Sequence, residues 1–185
     1  MRVLLTSTGI ETKEIQDFFL DLLNMDTDSV KALFIPTAAI YADAIAVLPK
    51  CMNDLLKCGI QDKNIKVYDL HKGMDIDELR QYDVVYLCGG DPHYLLQRIN
   101  EAEFNNSLMQ FIREDGVVVG VSAGSLIFAN NMPDNLGLIE TNLYVHCAHS
   151  TPQGKIACPF RDNICLSNTS ALAVRSFPDE LEIIE

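Results

Sequence analysis

The stretch Val117-Val118-Val119-Gly120-Val121-Ser122-Ala123-Gly124-Ser125-Leu126 constrains the fold of this chain more than any other. Its β-branched run has no polar alternation, so it reads as a strand buried on both faces. The residues from Ala123 to Ala129 favour helix. Between the two stands Gly120-x-Ser122-x-Gly124, the spacing of a sharp strand-to-helix turn. A turn this tight forces strained dihedrals on the serine, so its neighbours must be small. The serine Oγ then stands clear of the sheet, and N–H groups at the helix start can face a developing oxyanion. Ser122 is therefore the candidate nucleophile. The plainer alternative is a glycine-flanked turn with a solvated serine, and the strand before and helix after weigh against it.

The rest of the chain repeats this alternation. Val3–Thr6, Ala32–Ile35, Ile65–Tyr68 and Val84–Cys88 read as strands. Helical spacing covers about Lys13 to Met25, Asp43 to Cys58, Ile76 to Gln81, the stretch through Leu95, Leu96 and Ile99, and about Asn105 to Arg113. Gly59 closes the second of these, and Pro92 suits the first position of the fourth. Strands alternating with helices through short loops predict a three-layer α/β domain, doubly wound around a mostly parallel sheet. No repeat or linker divides it, so residues 1–185 are expected to form one domain. After Asn130 the pattern changes. Leu143–His146, Asn163–Leu166 and Leu172–Arg175 suggest short, antiparallel strands, with pairing and order left open.

Composition narrows the partners. With 14 basic and 26 acidic side chains the net charge is −12, which argues against nucleic acid or an anionic membrane surface. The N-terminal apolar run is too short for a signal peptide, and no stretch reaches the length of a membrane span. None of the six cysteines forms a Cys-x-x-Cys pair, so they are expected to be reduced thiols in a cytoplasmic protein. The oligomeric state is not disclosed; a homodimer is one candidate.

In a doubly wound sheet, ligands sit beyond the carboxyl ends of the strands. The loop Gly89-Gly90-Asp91 falls there, as does the Ser122 turn. Backbone N–H groups of Gly90 and Ala123 could form an oxyanion hole, and Gly89 and Asp91 are candidate substrate-binding residues. A plain glycine turn is the alternative. No Gly-x-Gly-x-x-Gly occurs, which disfavours a dinucleotide site. Of the four histidines, His146 ends an apolar strand downstream of the serine, where a base in serine-then-histidine order would fall. His149 is its rival; His71 and His93 read as solvated. His146, Cys147 and His149 lack a fourth ligand at a recognisable spacing, so no metal is expected.

These residues resemble the peptidase E (aspartyl dipeptidase) family, which includes cyanophycinases and shares its fold with class I glutamine amidotransferases. The resemblance rests on Gly120-Val121-Ser122-Ala123-Gly124-Ser125 after the valine strand, and on Leu87-Cys88-Gly89-Gly90-Asp91 upstream. It extends to Asn131-Met132-Pro133, Leu136-Gly137-Leu138-Ile139 and the strand ending in His146. It implies Ser122 as nucleophile, His146 as base, and Gly90 and Ala123 as oxyanion donors. The family's acidic third member falls on one of two segments, which here carry Asn131 and Asn168; Asp134 or Glu140 could substitute. The basic segment that the family's dipeptidases carry after the histidine is reduced to Lys155 and Arg161, which weakens the case for aspartyl specificity. The expected activity is hydrolysis of a peptide or amide bond in a small substrate, through an acyl-enzyme on Ser122 and without a cofactor. The alternative is a weakly active or inactive binding protein that has lost the triad acid.

Overall fold

The computed structural model describes residues 1–156, 162–176 and 180–185; Cys158 and Arg161 lie outside them. Five strands form the parallel half of an eight-stranded sheet: β1 (Arg2–Thr6), β2 (Ala32–Ile35), β3 (Ile65–Val67), β4 (Val84–Leu87) and β5 (Val117–Val121). Their order is β3-β2-β4-β5-β1, and β1 runs parallel to β5 with Leu4 opposite Val119 and Thr6 opposite Val121. Every residue of β4 and β5 is buried, as a strand covered on both faces requires.

The covering layers are α1 (Lys13–Leu23), α2 (Ala42–Lys57), α3 (Ile76–Leu79), α4 (Pro92–Glu101) and α5 (Phe104–Arg113). Alternate strand residues divide between two buried clusters. Val85, Leu87 and Val118 pack with Leu95 and Ile99 of α4 and Leu108 and Ile112 of α5. Val84, Tyr86, Val117 and Val119 pack with Ile15 and Phe19 of α1 and Leu55 of α2. This is the three-layer α/β arrangement that the alternation predicts. Local signals set the helix ends. Thr12 Oγ1 accepts the Ile15 N–H at 3.2 Å to start α1, and Asp91 caps α4 just ahead of Pro92.

The second half departs from the sequence reading. The helix after Ser122, α6 (Ala123–Leu126), is only one turn long, and i→i+3 bonds from Phe128 to Ser125 and from Ala129 to Leu126 tighten the chain beyond it. Two short strands, β6 (Leu143–Tyr144) and β8 (Ile164–Cys165), pair parallel in a small sheet of their own rather than antiparallel. The main sheet is extended beyond β1 by β9 (Ala171–Ser176), then by β10 (Glu180–Ile184) and β7 (Gly154–Ile156), all antiparallel. β7 and β10 are absent from the sequence reading. Cys51, Cys58 and Cys88 are buried, Cys147 and Cys165 are half-buried, and all five are free thiols.

One buried carboxylate joins the layers near the site. Asp54 of α2 is 5% exposed and accepts hydrogen bonds from the Tyr86 hydroxyl of β4 at 2.7 Å and the Ile10 N–H at 3.0 Å. It thereby fixes the loop that leaves β1. Asp54→Ala would orphan both donors and is expected to cost about 3 kcal/mol, measurable as a lower urea midpoint. Burial pushes the Asp54 carboxyl above its ordinary value of 3.8, against the opposing hydrogen bonds. A raised native pKa gives a contribution that is complete below the ordinary value and lost as pH rises through the raised one. The stability of the wild type relative to Asp54→Asn should therefore fall as pH rises from about 4. A difference that grows with pH would contradict this.

Candidate active site

The chain turns sharply where β5 meets α6. Ser122 has φ 48° and ψ −108°, a conformation that an L-residue adopts only when its surroundings impose it. Close backbone approach explains the glycines on either side. A Cβ on Gly120 would lie 2.4 Å from the Gly124 carbonyl oxygen, and one on Gly124 would lie 2.3 Å from that of Leu87. The end of β1 supports the turn. The Thr6 carbonyl accepts the Ser122 N–H at 3.0 Å and the Ser125 hydroxyl at 2.8 Å.

His146 follows β6 and has a left-handed φ of 57°. Its Nε2 lies 3.0 Å from Ser122 Oγ, and its Nδ1 lies 3.0 Å from Asn168 Oδ1. Asn168 follows β8, so the parallel β6–β8 pairing brings the two residues together, continued by the Cys147 N–H donating to Leu166 O at 3.0 Å. An amide oxygen can only accept, so Nδ1 carries the proton and the Nε2 lone pair faces the serine hydroxyl. Serine, histidine and asparagine thus form one hydrogen-bonded line.

The other candidates for the third position stand elsewhere. Asn131 is bound to Leu143 at both ends of its amide, donating to the carbonyl at 2.8 Å and accepting the N–H at 2.9 Å. It anchors the strand leading to His146 rather than the imidazole. Asp134 and Glu140 are exposed and make no hydrogen bond to His146. His71 pairs with Asp69 at 2.8 Å, and His93 and His149 are exposed and do not reach Ser122.

Ser122 opens into a cleft of about 300 Å³. Gly89, Gly90 and His146 line it together with the serine, and α2 contributes lining residues between Asp43 and Cys51. Gly90 has φ 143°, and a Cβ there would lie 2.0 Å from the Ala38 carbonyl oxygen, so only glycine fits this loop. Neither the Gly90 nor the Ala123 N–H is taken by a protein acceptor among the described residues. The Asp91 carboxylate does not line the cleft. It accepts the Tyr94 N–H at 2.9 Å as the cap of α4. Among the described residues, no group of three or more His, Cys, Asp or Glu is placed to hold a metal ion.

The model of peptidase family S51 matches residues 3–141, most of the chain. The chain belongs to peptidase family S51, the peptidase E family. The S51 match ends before His146 and Asn168. An uncharacterized peptidase of Pasteurella multocida (strain Pm70) is 26% identical over 120 residues, which cover 64% of this chain and 57% of that protein. The S51 chain thus spans little more than half the length of that relative. Among solved structures, it superposes with TM-score 0.74 on a Listeria monocytogenes EGD-e protein described as a candidate peptidase E. That match has 18% identity and covers 98% of this chain and 96% of the other. A peptidase from an acI-B1 Actinobacterium gives a TM-score of 0.70 at 19% identity, covering 98% and 86%. Both support the S51 fold. Among the described residues, no helix is long and apolar enough to cross a membrane.

Sequence reasoning missed Ser7 in this S51 site. Its fully buried hydroxyl accepts the His146 N–H at 2.7 Å and lies 3.4 Å from both His146 Nδ1 and Asn168 Oδ1. Next to it, the Thr8 hydroxyl donates to the Asn168 carbonyl at 2.6 Å. The turn after β1 thereby holds the backbones of both partners of Ser122, including the left-handed His146. The available signal was a Ser-Thr-Gly turn at the carboxyl end of a central strand, where ligand sites gather. Ser7→Ala should lower kcat about 10- to 100-fold, the scale of a small misplacement of a reacting group. Loss of the acceptor for the His146 N–H should also lower the melting temperature by a few degrees, and an unchanged kcat would rule out this positioning role.

Proposed function

We propose that this S51 chain hydrolyses a peptide or amide bond in a small substrate through an acyl-enzyme on Ser122. The observation that carries the reading is the Ser122 Oγ to His146 Nε2 contact of 3.0 Å, made by a serine in a strained conformation at the mouth of a cleft. His146 Nε2 removes the hydroxyl proton as Oγ bonds to the carbonyl carbon. Negative charge moves to the carbonyl oxygen, facing the Gly90 and Ala123 N–H groups. The imidazolium gives its proton to the leaving nitrogen as the C–N bond breaks. Water, deprotonated by the same imidazole, then adds to the ester and releases the acid and free Ser122. Asn168 holds the imidazole tautomer this sequence needs, and no step calls for a metal or organic cofactor. We also assign the chain to the cytoplasm, on the six cysteines without a paired spacing.

A second reading is a binding protein of the same fold with little turnover. The observation favouring it is the amide of Asn168 where a carboxylate would stabilise the imidazolium. Rapid mixing with an activated amino-acid ester separates the two. A hydrolase should give a burst of leaving group equal to the enzyme concentration, followed by steady turnover. Binding without a burst or turnover supports the second reading.

A further inference from the structure

We infer that the cleft facing Ser122 selects substrates with an apolar side chain beside the scissile bond, rather than the acidic side chain of an aspartyl peptide. The inference names the substrate class of the hydrolase proposed above and depends on it for the chemistry. The first half of α2 lines this cleft, presenting Ala44, Val47 and Leu48 to it. Val47 is 48% exposed, so its side chain is open to a molecule in the cleft. Apolar side chains lining a cleft suit it to hold an apolar group.

The charges point the same way. Among the described residues, two charged side chains line the cleft, Asp43 and Lys50. The Lys50 ammonium is already engaged, paired with Glu11 and donating to the Thr8 carbonyl at 3.2 Å. A substrate carboxylate would have to share the Lys50 ammonium with Glu11, in a cleft that Asp43 also lines. Lys155 lines a different cleft with Arg175 and Glu182. A carboxylate pressed on Val47 and Leu48 would lose hydration without gaining a partner, whereas an apolar side chain loses none. The volume of about 300 Å³ is at the small end for ligand sites, enough for a residue or two and not a folded chain.

The test uses a dipeptide panel with Leu, Phe, Asp or Lys in either position, on the wild type and on Val47→Lys. In at least one position, Leu or Phe should give kcat/KM at least about tenfold above Asp, the range expected when one side chain is matched to an apolar pocket. Val47→Lys should lower that ratio at least fivefold. Calorimetry of the same peptides with Ser122→Ala reads the preference independently of turnover, and fluorophosphonate labelling of the wild type reads the nucleophile independently of the preference. Labelled Ser122 with Asp or Lys peptides equal or preferred would overturn this inference and leave the hydrolase standing. An unlabelled Ser122 with tighter binding of Leu and Phe peptides would overturn the hydrolase and support the cleft's selectivity. A ratio unmoved by Val47→Lys would also overturn the inference.

Discussion

Ser122→Ala is expected to lower kcat on any verified substrate at least about a thousandfold, the scale seen when a serine nucleophile is removed from a hydrolase triad. Fold and substrate binding should persist. Ser122 lines the cleft; its hydroxyl is bonded to the exposed His146, and the backbone bond from Ser122 N–H to Thr6 O at 3.0 Å survives the substitution. Alanine must still adopt a φ near 48°, at a cost comparable to that already met by serine. A melting curve close to wild type together with lost turnover is the expected pair of results. Near wild-type turnover in the alanine protein would show that another group is the nucleophile.

Asn168→Asp is expected to raise activity. In the present site the amide oxygen orients His146 through a 3.0 Å contact to Nδ1 but offers no charge to the imidazolium formed in the transition state. In trypsin, replacing the triad aspartate by asparagine costs about ten-thousandfold, part of it through the wrong tautomer. Since the tautomer here is already favourable, the gain should be smaller, between about tenfold and a thousandfold in kcat. The Ser7 hydroxyl, 3.4 Å from Asn168 Oδ1, could donate to the new carboxylate. Asn131→Asp is the control. It would remove the donor to Leu143 O and bring no charge to His146, so turnover should stay level or fall. If Asn168→Asp gave no gain on a substrate the wild type cleaves, charge at this position would not limit the reaction.

The sequence was most informative where local chemistry decides the structure. The valine run and the two glycines around Ser122 specify a buried strand and a turn with no room for a side chain at Gly120 or Gly124, and the structure has both. The parallel half of the sheet was readable for the same reason, since each strand carries its own burial pattern. Contacts between distant segments were not readable. Nothing local to Asn131 or Asn168 says which one meets His146, because that depends on the pairing of β6 with β8. Ser7 lies 139 residues from His146 and looks like any polar turn residue. The antiparallel extension through β9, β10 and β7 rests on long-range pairing of short strands, whose order a single sequence does not encode.

The central claim is that Ser122 is a nucleophile activated by His146, and a fluorophosphonate probe tests it most directly. Such probes phosphonylate an activated serine and spare an ordinary one. Cys51, in the same cleft, provides an internal comparison: hydrogen bonding from Cys88 lowers its thiol pKa, against the effect of burial. The native protein, treated with the probe and digested, should carry one adduct, on the peptide containing Ser122, and His146→Ala should lose it. An adduct on another residue, or none on native protein at millimolar probe, would contradict the account.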